Sequence, residues 1–228
     1  MWAQEGGLDQ ADWLADELNM YVARTEGPWY DEGVSLGNAI LSRWPIIRWA
    51  VHRLPDVTGA PSYRRAVVAQ LDTPYGRWWT VCTHLDYKFD QSATRMAQCE
   101  ALSAIVDSLR EDPEVETPVL MAGDFNSVPD SDEIRMLTGR REPAVPGLVF
   151  TDMWEVAGEG DGMTWRRDNP YIADSTWPNR RLDYLFVSWP RPRPIGNPTR
   201  IWLAGVEPVG GVQPSDHAAV VADIRMVA

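Results

Sequence analysis

The stretch Val119-Leu120-Met121-Ala122-Gly123-Asp124-Phe125-Asn126 decides how the rest of the chain is read. Four apolar residues in a row form a short buried strand, and a glycine, a carboxylate and a carboxamide close it. A strand delivers polar groups to its C-terminal rim, and the i, i+2 spacing of Asp124 and Asn126 can aim both at one site. Such a pair can hold a metal-bound water and a phosphate oxygen together. Gly-Asp and Asn are also common turn formers, so this stretch alone reads equally well as a strand-ending turn.

Working outward, Gln91 to Arg110 is the best helix, with Met96, Cys99, Leu102, Val106 and Leu109 at steps of three and four on one face. Tyr63 to Asp72 and Arg77 to Leu85 read as a hairpin around Pro74-Tyr75-Gly76. Leu36 to Arg43, Ile46 to Leu54, Leu182 to Ser188, Ile201 to Val206 and Ala218 to Ile224 are further strands. Gln10 to Met20 predicts a short amphipathic helix whose apolar side carries Trp13, Leu14, Leu18 and Met20. Residues 139–147, 169–179 and 190–198 are loops. Many strands and few long helices indicate α/β layering with mixed or antiparallel sheets, not a doubly wound parallel sheet.

The chain has 228 residues, 44% of them hydrophobic, which suffices for one α/β domain over residues 1–228. No window approaches 18 consecutive apolar residues, so no membrane span is expected. The acidic start, Met1 to Gln10, does not read as a signal peptide. That leaves the compartment open and leans to the cytoplasm. A net charge of -12 argues mildly against tight binding of nucleic acid, although a bound cation would invert the potential locally. Two cysteines, Cys82 and Cys99, show neither metal spacing nor a disulfide framework and read as buried free thiols. Among 12 tryptophans most serve packing, and some can line a flat substrate-facing surface.

Two more clusters set polar groups against apolar strands. Arg181-Leu182-Asp183-Tyr184 enters the strand Leu185-Phe186-Val187, where a carboxylate is costly unless it is paired. A histidine is its natural partner for acid–base work, and a structural ion pair with a nearby arginine is the bland alternative. Ser215-Asp216-His217 stands before the last strand, offering His217 as acid or base and Asp216 as a metal ligand. His84, ending another strand in Thr83-His84-Leu85, is a further candidate, and a merely structural histidine is the bland reading of both. His52 matches no motif and reads as a surface strand residue.

Taken together, Gly-Asp-Phe-Asn, Arg-Leu-Asp-Tyr and Ser-Asp-His, in this order, resemble the signature of the endonuclease/exonuclease/phosphatase superfamily. The stretch from Gly37 to Arg43 and Thr83-His84-Leu85-Asp86 resemble its intermediate segments, and Arg95 and Gln98 continue the match. The resemblance implies a four-layer α/β sandwich of two packed mixed β-sheets flanked by helices, and Mg²⁺- or Mn²⁺-dependent attack of water on a phosphate ester. It implies that Asp124 and Asn126 position the water and phosphate, that Asp183 orients His217, that Asp216 lies near the metal and that His84 contacts the phosphate or leaving group. Arg65 and Arg181 are candidates to add positive charge for the phosphate.

The sequence departs from the pattern at its start. Gln4-Glu5 follows only Met1-Trp2-Ala3, so Glu5 matches the family's metal-binding Glu while the first family strand, with its Asn, has no counterpart. A metal-dependent hydrolase of small phosphate esters, lipid headgroups or nucleic acid is therefore the expectation. The alternative is a weak or silent member of the fold that acts by binding. A calcineurin-like dinuclear phosphatase needs more histidines than the three present.

Overall fold

The computed structural model describes residues 2–4, 7–26, 34–60, 62–110 and 117–227. In chain order the first elements are β1 (Trp2–Gln4), α1 (Gln10–Leu18), β2 (Tyr21–Arg24), β3 (Val34–Leu36), β4 (Ala39–Ser42) and β5 (Ile46–Arg53). Next come β6 (Arg65–Thr73), β7 (Gly76–His84), α2 (Ser92–Arg110), β8 (Leu120–Asp124) and α3 (Asp132–Leu137). The last are β9 (Val149–Asp152), α4 (Met153–Ala157), β10 (Asp183–Trp189), β11 (Pro198–Ala204) and β12 (Ala219–Ile224).

Six strands form a central mixed sheet in the order β5-β6-β7-β8-β10-β9. Its first pairs are antiparallel, with β6 and β7 closing the expected hairpin between Thr73 and Gly76. The β7–β8 pair is parallel, because α2 carries the chain back to the same end of the sheet. Beyond it β10 runs antiparallel to both β8 and β9.

Alternation along the strands separates two faces. Ala66 and Val68 of β6, Met121 of β8 and Tyr184 and Phe186 of β10 join Cys99, Leu102 and Val106 of α2 and Ile134 and Leu137 of α3 in the largest core cluster. Burying each large apolar side chain there stabilises the fold by roughly 1.5–3 kcal/mol. The intervening residues point the other way: Val67 and Ala69 meet Ala23 of β2 and Ile40 of β4, and Val187 meets Ile201 of β11. The second strand layer consists of antiparallel ribbons among the described residues, β1–β3, β2–β4 and β11–β12. Helix α1 packs against β2 and β4, which adds the outer helical layer.

Three details differ from the sequence reading. Helix α1 stops at Leu18 because Asn19 caps it in the left-handed region at φ 51°, and Met20 leaves the helix. Its buried residues are Ala11 and Ala15, while Trp13, Leu14 and Leu18 are exposed, since small side chains let the helix approach the sheet closely. The single strand expected over Leu36 to Arg43 is divided into β3 and β4. Strand β5 is an edge among the described residues, and its Ile47, Trp49 and Val51 are exposed. Both cysteines are free thiols, Cys99 buried and Cys82 partly so, and His52 is exposed on β5.

Candidate active site

The strand register itself assembles the site. His84 at the end of β7 is the parallel partner of Asp124 at the end of β8. Asp183, the first residue of β10, is the antiparallel partner of the same Asp124. Three adjacent strands thus set an imidazole and two carboxylates side by side on one rim. The chain backbone continues the sheet past the strand ends, with Leu85 N donating to Asp124 O at 2.9 Å and Phe125 N to Leu182 O at 2.8 Å.

Gly123 is required just before Asp124. A Cβ there would stand 2.0 Å from the Thr83 carbonyl oxygen, and its φ of +153° disfavours any L side chain. Asn126 holds the left-handed region at φ 49°, which asparagine tolerates better than most residues. Its backbone N–H donates to Asp124 Oδ1 at 2.8 Å, and its Nδ2 donates to Leu85 O at 3.2 Å and to Asp124 Oδ2 at 3.3 Å. The carboxylate and the carboxamide therefore brace each other.

His217 arrives from the segment before β12, its backbone bridged to Trp165. Its Nδ1 lies 2.8 Å from Asp183 Oδ2, and since a carboxylate accepts, Nδ1 carries the proton. Nε2 is left for chemistry. Burial works to lower the His217 pKa, but the hydrogen bond and charge of Asp183, aided by Asp124 and Asp216, carry it up to about 9. Asp124 moves upward too, first because it is desolvated and then because Asp183 sits beside it. His84 Nε2 lies 3.4 Å from Asp124 Oδ2. Desolvation in the cleft, then the charges of Arg64 and His217, hold His84 well below its ordinary pKa, so it is a neutral imidazole.

Asp124, Asp183 and His217 each offer a ligand atom within 4.8 Å of the others. Two carboxylates that repel each other suit a hard divalent cation, whose charge would relieve the strain on Asp124. The trio is a candidate metal site, and a cation held there by its carboxylates would also oppose protonation of His217 and leave Nε2 as a proton acceptor. Asp216 is exposed and lines the same cavity, and Glu5 lies outside the described residues.

The two arginines considered for the phosphate do not line this cavity. Arg181 is buried and ion-paired with Asp152 at 2.6 Å. Arg65 donates to the carbonyl oxygens of Ser62 and Arg64, both at 3.0 Å. The cavity of about 290 Å³ is instead walled by Arg180, Tyr87, Phe89 and Trp165, beside His84, Asp124 and His217. None of these four was singled out from the sequence. The one available signal was Trp177-Pro178-Asn179-Arg180, an aromatic near the end of the 169–179 loop and a cation just beyond it.

The fold is shared with solved structures. The D. rerio TDP2 complexed with single strand DNA product matches with a TM-score of 0.66 and 21% identity, over 97% of this chain and 83% of that one. The human Nocturnin catalytic domain with bound sulfate anion gives 0.66 at 19%, over 96% and 76%. At these identities the likeness is one of fold. Protein angel of Drosophila melanogaster is 32% identical over 90 residues, 38% of this chain but only 24% of that protein's length. The model of the Endonuclease/Exonuclease/phosphatase family matches residues 4–217, a span that contains the whole rim from His84 to His217, and the chain belongs to that family.

Proposed function

We propose that the protein hydrolyses phosphate esters by in-line attack of water on phosphorus, with Mg²⁺ or Mn²⁺ as cofactor. The observation that carries this reading is the 2.8 Å contact between His217 Nδ1 and Asp183 Oδ2, placed one strand away from Asp124 on the same rim. A divalent cation, when bound, neutralises charge on the phosphoryl and leaving oxygens. Asp124, Asn126 and the cavity-facing nitrogen of His217 then divide the work of holding the water and taking its proton. Asp183 fixes the His217 tautomer and stabilises its charged form. Neutral His84 touches a phosphoryl oxygen or the leaving group. Asp216 and Glu5 would supply further oxygen ligands to such a cation. Arg65 and Arg181, first considered for the phosphate, do not line the cavity and are given no part in this reading.

Lipid headgroups, small phosphodiesters and nucleic acid are the substrate classes within this reading. The DNA product held by TDP2 supports the last of them, and the net charge of -12 weighs against long polyanions.

Cleavage of bis-p-nitrophenyl phosphate, followed with Mg²⁺, with Mn²⁺ and after chelation, tests the proposal. Turnover is expected to need the cation. His217→Ala and Asp124→Ala are each expected to reduce it by roughly 10²- to 10⁴-fold with the fold retained by circular dichroism. Turnover that survives in both variants, or none in the parent with either metal, overturns the assignment. The second outcome is the one expected of a silent family member acting by binding.

A further inference from the structure

Beside the catalytic rim stands a wall of exposed rings that the hydrolytic reaction does not use. Phe89 and Trp177 stack with centroids 4.2 Å apart and planes at 26°. The Arg180 guanidinium lies 4.6 Å from the Phe89 ring and 4.8 Å from the Trp177 ring. Tyr87, with Arg64 over its ring, extends the wall toward the cavity. Large apolar rings normally gain stability by burial, yet Tyr87 is 62% exposed, Phe89 55% and Trp177 44%. Among the described residues no carboxylate forms an ion pair with Arg180, although the chain is strongly acidic.

This surface is held rigid. Arg95 on α2, itself tied to Glu133, donates through Nη1 to the carbonyl oxygens of Lys88 at 2.6 Å and Asp86 at 3.3 Å. Gln98 Oε1 accepts from Asp86 N at 3.0 Å. The loop bearing Tyr87 and Phe89 is therefore pinned from beneath by two side chains of one helix. On the opposite side, the Arg180 backbone exchanges two 2.9 Å hydrogen bonds with Trp165.

We propose that Tyr87, Phe89, Trp177 and Arg180 form a stacking subsite that selects nucleotide-sized phosphate esters by their planar base. The subsite rests on the phosphate-handling reading above, which places the ester at His84 and His217, and it adds what lies one sugar away. Flat apolar rings with a delocalised cation complement a nucleobase face. They offer little to a hydroxyl-rich inositol ring. A cavity of about 290 Å³ suits a ligand of nucleotide size rather than a duplex, and the net charge of -12 disfavours long polyanions.

Isothermal titration of the Mg²⁺-loaded protein with adenosine 5′-monophosphate, ribose 5-phosphate and inositol 1-phosphate tests this. The adenine compound is expected to bind tighter than either sugar phosphate by about tenfold or more. Phe89→Ala and Trp177→Ala should collapse that ratio toward one, whereas Trp177→Phe should keep most of it. Both rings are exposed, and unchanged melting curves would confirm that the variants fold. Equal affinities in the parent, tighter binding of the inositol compound, or a ratio untouched by both alanine variants overturns the subsite. A base preference without cleavage of bis-p-nitrophenyl phosphate sinks the hydrolase reading alone, and cleavage without a base preference sinks the subsite alone.

Discussion

Single residues at the rim carry measurable signatures. Because the Asp183 contact is the main force lifting His217 against its burial, Asp183→Asn should lower the His217 pKa from about 9. Titration of the imidazole carbon-bound protons by NMR in metal-free protein reads this directly, and a value still near 9 would discard the pairing as its cause. Arg181 makes a second test. With Asp152 buried against it, Arg181→Met leaves an uncompensated carboxylate and should cost about 3–5 kcal/mol in urea denaturation. A loss below 1 kcal/mol would count against a stabilising pair. Asp124, Asp183 and His217 were legible in the sequence because each interrupts or abuts an apolar run, where a charged group needs a reason to be. Arg180 was not, because neighbouring Arg181 carries the same charge and only the fold shows which of the two turns inward to Asp152.

At the level of elements, the hairpin of β6 and β7 and the long helix α2 were readable because each repeats its periodicity over nine residues or more. Strand β9, with four residues, and helices α3 and α4, with six and five, repeat too little to announce themselves. In α1 the large apolar residues misled, since the residues that pack are the two alanines. The β7–β8 contact makes its own prediction. Gly123→Ala should separate the strands that bring His84 and Asp124 together, costing roughly 3 kcal/mol or more. Activity should fall together with stability. A variant with the parent's melting temperature would mean that the two backbones have room to spare.

For the molecule as a whole, the site sets how stability follows pH and metal. The raised His217 pKa contributes stability that is complete below about pH 6.5 and lost as pH rises through about 9. The raised Asp124 pKa acts in the same direction: protonation in the fold helps at low pH, and that help is lost as pH climbs above the ordinary 3.8. Metal-free protein should therefore melt at a lower temperature at pH 9 than at pH 6.5, and a flat or rising profile over that window would contradict the His217 shift. A cation reverses the sign of the problem at Asp124. At 100 times its dissociation constant it should stabilise the fold by about 2.7 kcal/mol, and Asp124→Asn should raise the metal-free melting temperature while abolishing that increment. Calorimetry with and without Mn²⁺ reads both effects, and a full increment in the variant would remove Asp124 from the metal site.

The open border at β5 has a consequence for handling the protein in solution. An eight-residue strand that is an edge among the described residues, with a hydrophobic stripe of Ile47, Trp49 and Val51, is a ready template for strand addition by another chain. Concentrated solutions should become turbid on warming before the interior melts. A lysine at position 49 would guard that border, leaving chemistry at the far rim untouched.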